Sequence, residues 1–546
     1  MKKITKSLIT ICMIFAVLLS AALPSFALPY NENMTDSYNY SYFGDIVGTP
    51  DAYRTSKVLA AADLGVGKAF NPVDLFTKGD YIYVVDAGNN EIIVLDKKYN
   101  VVKEIKDLVG TEDYEIPDII KTVINEAGEE VTDTAMLTAN RYGFYNPQGI
   151  FVDDDGQIYV ADTGNRRIVV CNIDGVVSNV IQDVKISVLG KTYTFQPTKL
   201  IVDAAGGINV LAYGVNRGIM VFDDDGTFRQ FTGAPNVSVS AIEWFWRLLA
   251  TEEQKANLAK YVPTEYSNIL VDDRGLTYAT IGTVDATEYQ AAIASLGSDS
   301  DSGSPIKKLS ASGVDTLRRK GRLAIVGDIY TENKTQTPQI VDVCVADGDI
   351  YTMLDQRSGR LFTYGPDGDL LYVGGGYGTQ YGRFTAANSI TTTGDDVIVS
   401  DGNNNTLTVF ELTDYAKTIH EAIITHNSGK YEEAKVLWKK VVSYNSAFYI
   451  AYVGMGKAEM RKATDSSISS EESLKHYEQA LEYFEIANET TNYSKAFKEL
   501  QKQSMSENFI FIVIGLVVVV AGCFVLYFLN KRRKKKKLLK ERGGNA

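Results

Sequence analysis

Histidine is close to absent: the 546 residues hold three, His420, His426 and His476, and none before residue 420. That excludes a Ser-His-Asp triad or a His-ligated zinc site from everything upstream. Cysteine is nearly as scarce, at four. Cys12 and Cys523 lie in long apolar runs, and Cys171 and Cys344 sit in separate strand patterns, so no disulfide framework is available. Neither of the latter has a basic partner in view that would make it a nucleophile. Lys and Arg number 55 against 68 Asp and Glu, for a net charge of −13. Residues 531–542 carry nine Lys or Arg against Glu541, and Lys2, Lys3 and Lys6 open the chain, so the stretch between carries about −24. Such a surface disfavours nucleic acid and suits cations or neutral sugars.

Two apolar runs bracket that acidic stretch. Met1 to Ala27 combines early lysines, a run from Leu8 to Leu23 and the ending Ser25-Phe26-Ala27, which predicts a secretory signal cut after Ala27. Phe509 to Leu529 is uncharged and long enough to cross roughly 30 Å of hydrocarbon as a helix. The basic tail, 530–546, follows it and belongs on the cytoplasmic side. The expectation is a single-pass protein of the cell membrane with residues 28–505 outside, beginning with an N-terminal linker at 28–52.

Between the runs the chain repeats itself. "YVVDAGNNEIIV" at 83–94 returns as "YVADTGNRRIVV" at 159–170. A full unit, 145–181, has four alternating apolar runs separated by turn residues, the signature of a four-stranded meander. Cognate units start near Phe70, Phe195, Thr264, Pro338 and Thr385. From Asp86, Asp162, Asp355 and Asp401 the next strand's first apolar residue is six positions on, so each Asp reads as a turn device that accepts backbone N–H groups. Tyr213 and Ile281 fall near that place in units three and four.

These units resemble NHL repeats, and the resemblance implies an all-β, six-bladed propeller over 53–412. The last unit shows three strands, and "SKVLAAADLG" at 56–65 is expected to close the ring as its fourth. With strands named A to D outward, the A–B and C–D turns are tight. The insertions at 106–144, 182–194, 234–264, 284–305 and 320–337 all fall in D–A or B–C loops and crowd one face. Within 240–262 the spacing predicts a helix headed by Trp244, Phe245 and Trp246.

After Leu412 the period becomes helical. Gly429, Tyr431, Ala434 and Trp438, then Tyr452, Met455 and Gly456, then Ala480, Phe484 and Ala487, resemble tetratricopeptide repeats over 413–505. Two such repeats imply a spacer or docking platform leaving from the plain face.

Aligned units place Asp74, Gly149, Lys199, Asn268, Asp342 and Ser389 at one position inside the start of strand A. Asp74, Lys199, Asn268 and Asp342, with Trp244 and Trp246, are the ligand-binding candidates. Asp74, Asn268 and Asp342 could hold Ca²⁺ as hard oxygen ligands, with Lys199 opposing. No catalytic residue is assigned. The leading expectation is a cell-surface binding or scaffold protein whose loop-rich face engages an extracellular protein or glycan, in an envelope or uptake assembly as the resemblance implies. The alternative is a divalent-metal lactonase similar to gluconolactonase, although no inward Glu completes that family's Glu, Asn and Asp set. A propeller lyase acting on a cyclic ester usually needs a His, which this region lacks.

Overall fold

The computed structural model describes residues 37–41, 43–136, 139–233, 265–295, 303–319, 321–329 and 337–542. The expected signal, 1–27, and the segment with Trp244 and Trp246 lie outside these residues.

Residues 53–412 form a six-bladed β-propeller. The inner strands A are Pro72–Lys78, Gly149–Val152, Pro197–Val202, Tyr266–Val271, Ile340–Ala346 and Ala387–Thr393. Both faces of each sheet are buried, which explains why the strands read as long apolar runs. In blade 1, Ile82, Val84 and Ile93 pack toward blade 6, while Tyr83, Val85 and Ile92 pack toward blade 2. Period-two alternation therefore serves two neighbouring blades, and each such buried side chain contributes roughly 1.5–3 kcal/mol.

The ring closes as expected, with shifted bounds. Tyr53–Ala60 pairs along Thr406–Leu412 as the outer strand of blade 6. Residues Ala61–Leu64 turn into a short helix, α1, because Asp63 caps the Ala60 N–H at 2.9 Å and Gly65 ends the turn at φ 71°. Part of the segment expected to be a linker is also built in. Tyr38–Tyr40 and Ile46–Gly48 form a hairpin on the outer strand of blade 5. The Tyr40 hydroxyl donates to Asp328 at 2.7 Å. Blade 4 departs from the four-stranded expectation. Among the described residues it has three strands, and its outer position is a bridge between Leu309 and Asp315, whose carboxylate takes the Lys308 N–H at 3.1 Å.

The insertions emerge from D–A or B–C connections, one of them carrying the helix Ala286–Ala294 (α2), capped by Asp285. Five helices follow the propeller: α3 (Asp414–Asn427), α4 (Tyr431–Tyr444), α5 (Tyr449–Ala463), α6 (Ser470–Ile486) and α7 (Thr490–Glu507). Small residues let them approach closely: a Cβ on Gly454 would fall on the Trp438 ring, and one on Gly456 on Phe484. Helix α3 shares a core with blades 5 and 6 through Tyr415, Ile419 and Ile423. Lys417 pairs with Asp395 at 3.1 Å, Ile424 touches Gly348, and the Tyr449 hydroxyl donates to Asp369 at 2.6 Å. All three propeller residues lie in A–B or C–D turns, so the helices sit on the plain face. His420 stacks on Tyr372 there, and burial holds its imidazole down at about 4. Helix α8 (Phe509–Arg542) contains Val513–Lys537, long and apolar enough to span a membrane.

Candidate functional site

The repeated Asp does more than shape its turn. Asp86 accepts the Gly88 N–H at 3.1 Å and, across the blade, the Asn71 N–H at 2.8 Å, just before strand A. Asp162 takes the Tyr145 N–H at 2.8 Å, Asp355 the Gln339 N–H at 2.9 Å, and Asp401 the Thr385 N–H at 2.7 Å. Each carboxylate is buried and staples the B–C turn to the entry of its own blade. Asp162 also pairs with the fully buried Arg167 at 2.8 Å, whose guanidinium holds the Gly143 carbonyl at 2.9 Å in the long insertion. Burial pushes the Asp162 carboxyl up, opposed by that guanidinium. Register puts Ala212 opposite Pro197 and Ile281 opposite Tyr266, the places that Asp86 and Asp355 occupy opposite Pro72 and Ile340. The staple is therefore replaced in blade 3 by Ala212, with Tyr213 one residue beyond, and in blade 4 by Ile281.

The aligned strand-A set does meet at the axis, as a buried belt. Lys199 pairs with Asp74, and Asn268 donates its amide to Asp342. The Ser389 hydroxyl donates to Asp342 at 2.6 Å and lies 3.1 Å from Asp74. Gly149 supplies the room for this: a Cβ there would lie 2.3 Å from the Thr198 carbonyl. The belt also satisfies strand-A N–H groups that have no neighbouring strand. Asp74 accepts from Ile150 at 2.9 Å, Asp342 from Ile390 at 2.8 Å and Ser389 from Leu75 at 3.0 Å. Burial pushes Asp342 up to about 6, Lys199 pulls it back, and Asp74 adds to the rise.

This geometry bears on the Ca²⁺ candidates. Asp74, Asn268 and Asp342 are brought together, but their oxygens already accept protein donors, and the Lys199 ammonium stands where a cation would be drawn. Among the described residues no group of three or more His, Cys, Asp or Glu could hold a metal ion. The donor set does not fit a divalent ion.

The pocket that reaches the loop-rich face is lined one residue upstream. In five blades a β-bulge falls just before the belt position, between Pro72 and Asp74, Pro197 and Lys199, Tyr266 and Asn268, Ile340 and Asp342, and Ala387 and Ser389. A bulge sets two residues against one and re-aims a side chain. The residues preceding the belt, Val73, Gln148, Thr198, Ser267, Val341 and Asn388, line a mouth pocket of about 370 Å³. It extends over blades 3 and 4 along Ala212, Tyr213, Val215 and Glu265, with Gln356 opposite and Lys199 in its floor. Tyr213, at the rim, is 56% exposed. Sequence alignment pointed at the belt and missed these residues, although they form an equally regular set.

On the other side of the belt a cavity of about 700 Å³ opens among the A–B turns of the plain face. Its acidic rim is occupied with backbone: Asp153 takes the Gln157 N–H at 2.9 Å, Asp203 the Gly207 N–H at 2.9 Å, and Asp272 the Leu276 N–H at 2.9 Å. The buried Cys171 thiol is pushed up to about 12 by burial, and Cys344 is raised as well. Neither is a nucleophile.

Residues 144–171 match the NHL repeat family. No curated protein matches the chain. Similar solved structures include virginiamycin B lyase from Staphylococcus aureus, at 11% identity and a TM-score of 0.36, covering 65% of this chain and 99% of that one. PorZ, a surface component of the type-IX secretion system of Porphyromonas gingivalis, is 14% identical over 64% of this chain and 40% of its own, with a TM-score of 0.32. The PQQ-bound aldose sugar dehydrogenase of Streptomyces coelicolor is 11% identical over 65% of this chain and 98% of its own, with a TM-score of 0.32.

Proposed function

We propose that this chain is a non-catalytic binding or scaffold protein that receives an extracellular partner at the mouth pocket on the loop-rich face. The observation that carries the reading is the opposition of two faces. Helices α3 and α5 cover turns of blades 5 and 6 on the plain face, whereas the pocket, its exposed Tyr213 and the insertions lie on the other. Loops raised on a rigid scaffold are where recognition concentrates. The buried belt beneath the pocket gives that scaffold its rigidity.

In this reading residues 1–27 export the chain, the span near 509–529 anchors it, and 530–546 stays in the cytoplasm. The helical region 413–505, of tetratricopeptide-like character, holds the plain face toward the membrane and the mouth away from it. The lactonase alternative finds no support in the belt, where Lys199 replaces the cation such chemistry needs. Surface presentation is tested by adding protease to intact cells that carry an epitope after Arg542. Loss of the propeller with retention of the epitope is expected; a protected propeller contradicts the orientation.

A further inference from the structure

Resting on that reading of the loop-rich face, we propose that the mouth pocket takes a neutral, polyhydroxylated ligand, a sugar unit of a glycan. Its volume of about 370 Å³ falls within the roughly 300–1,000 Å³ of small-ligand sites. Charge narrows the class first. The one cation in the lining, Lys199, is paired with Asp74, so an anionic ligand finds no uncommitted counter-charge. A cation finds the Glu265 carboxylate alone, and a wholly apolar molecule would strand the remaining amide hydrogens of Gln148 and Asn388.

Amides and hydroxyls are what a sugar needs. Gln148 and Asn388 each keep a free amide hydrogen beside an acceptor oxygen, whereas Gln356 and Ser267, whose hydrogens go to Ala387, Asn388 and Ile340, offer acceptor lone pairs. They are held in place before any ligand arrives. Gln356 donates to the Ala387 carbonyl at 2.9 Å and to Asn388 at 3.2 Å, Gln148 donates to Asn146 at 2.8 Å, and Ser267 to the Ile340 carbonyl at 2.8 Å. Pre-formed polar groups of this kind reduce the ordering cost of binding. Tyr213 supplies the other half of sugar recognition. Its exposed ring offers an apolar surface to the C–H face of a pyranose, and its hydroxyl a polar tip. Exposed Tyr145 and Tyr377 lie in loops of the same face and would extend contact along a longer chain.

The test is a binding panel with the full-length protein in phosphatidylcholine nanodiscs. The probes are neutral hexasaccharides (malto-, cello-, xylo-, manno- and chito-), an oligogalacturonate and an oligolysine. At least one neutral hexasaccharide should bind with an affinity unchanged in about 0.5 M salt, since no charge is screened. Tyr213→Ala and Glu265→Gln should each weaken it by about tenfold or more, and Asp225→Ala, on the plain face of the same blade, should not. Both pocket residues are exposed, so an unchanged melting temperature certifies the fold. Salt-sensitive binding of only a charged probe, still lost on Tyr213→Ala, overturns the sugar and leaves the face. Sugar binding lost on Asp225→Ala and kept on Tyr213→Ala overturns the face as well. No binding of any neutral probe overturns the proposal.

Discussion

Blades 1, 2, 5 and 6 differ from blades 3 and 4 in one buried carboxylate. In the first group an Asp at the end of strand B ties the B–C turn to the entry of the blade. In the second, Ala212 and Ile281 occupy that place, and the mouth pocket spreads over this side. Four blades thus keep the staple, and two have an apolar residue in its place. The most regular feature of the sequence is structural, and the proposed recognition surface lies where that regularity lapses.

The largest effect expected from disturbing this contrast is at Asp162. Asp162→Ala leaves the Arg167 guanidinium buried without its partner, a loss of about 3–5 kcal/mol. Denaturant unfolding should show it, and a change under about 1 kcal/mol would mean the staple does not carry the blade. Asp401→Ala strands the Thr385 and Asn403 N–H groups without stranding a charge, so roughly 1–3 kcal/mol is expected by the same measurement. An effect larger than that of Asp162→Ala would reverse the ranking.

A pH scan of the wild type against Asp342→Asn isolates one carboxyl of the belt. Burial raises Asp342 to about 6 in the folded state, above its ordinary value of 3.8, so the folded protein binds this proton more tightly. Its contribution is fully present below about pH 4 and is lost as pH rises through about 6. The melting temperature of the wild type minus that of Asp342→Asn should therefore fall between pH 4 and 7; a rise would contradict the assignment. The smallest effect belongs to the unstapled side. Tyr213→Ala removes an exposed ring and should change stability by no more than about 0.5 kcal/mol.

Much of the fold was legible because spacing is a local property. The six-residue step from Asp86, Asp162, Asp355 and Asp401 marked the strands, and the three-strand last unit called for a clasp from the N-terminus. The staple's second half spans 15 to 17 residues to Asn71, Tyr145, Gln339 and Thr385, a separation that is nearly constant but has meaning only once the blade is folded. The residues that line the mouth pocket stand one position before most of the belt set. Alternation alone cannot tell which of Asp74 and Val73, or Asn268 and Ser267, reaches the mouth, since the bulge before the belt decides it, and a bulge leaves no fixed sequence mark. The hairpin at 38–48 leaves little mark in the sequence because its two strands are three residues each and the first pairs with blade 5, more than 300 positions away.

The central claim is that the working surface lies on the loop-rich side of blade 3, and photo-crosslinking in intact cells tests it most directly. A benzoyl-phenylalanine is placed at Tyr213, or at Asp225 in the tight C–D turn on the opposite face of the same blade. Light-dependent adducts from position 213 and none from position 225 are predicted; adducts from 225 and none from 213 would contradict the account.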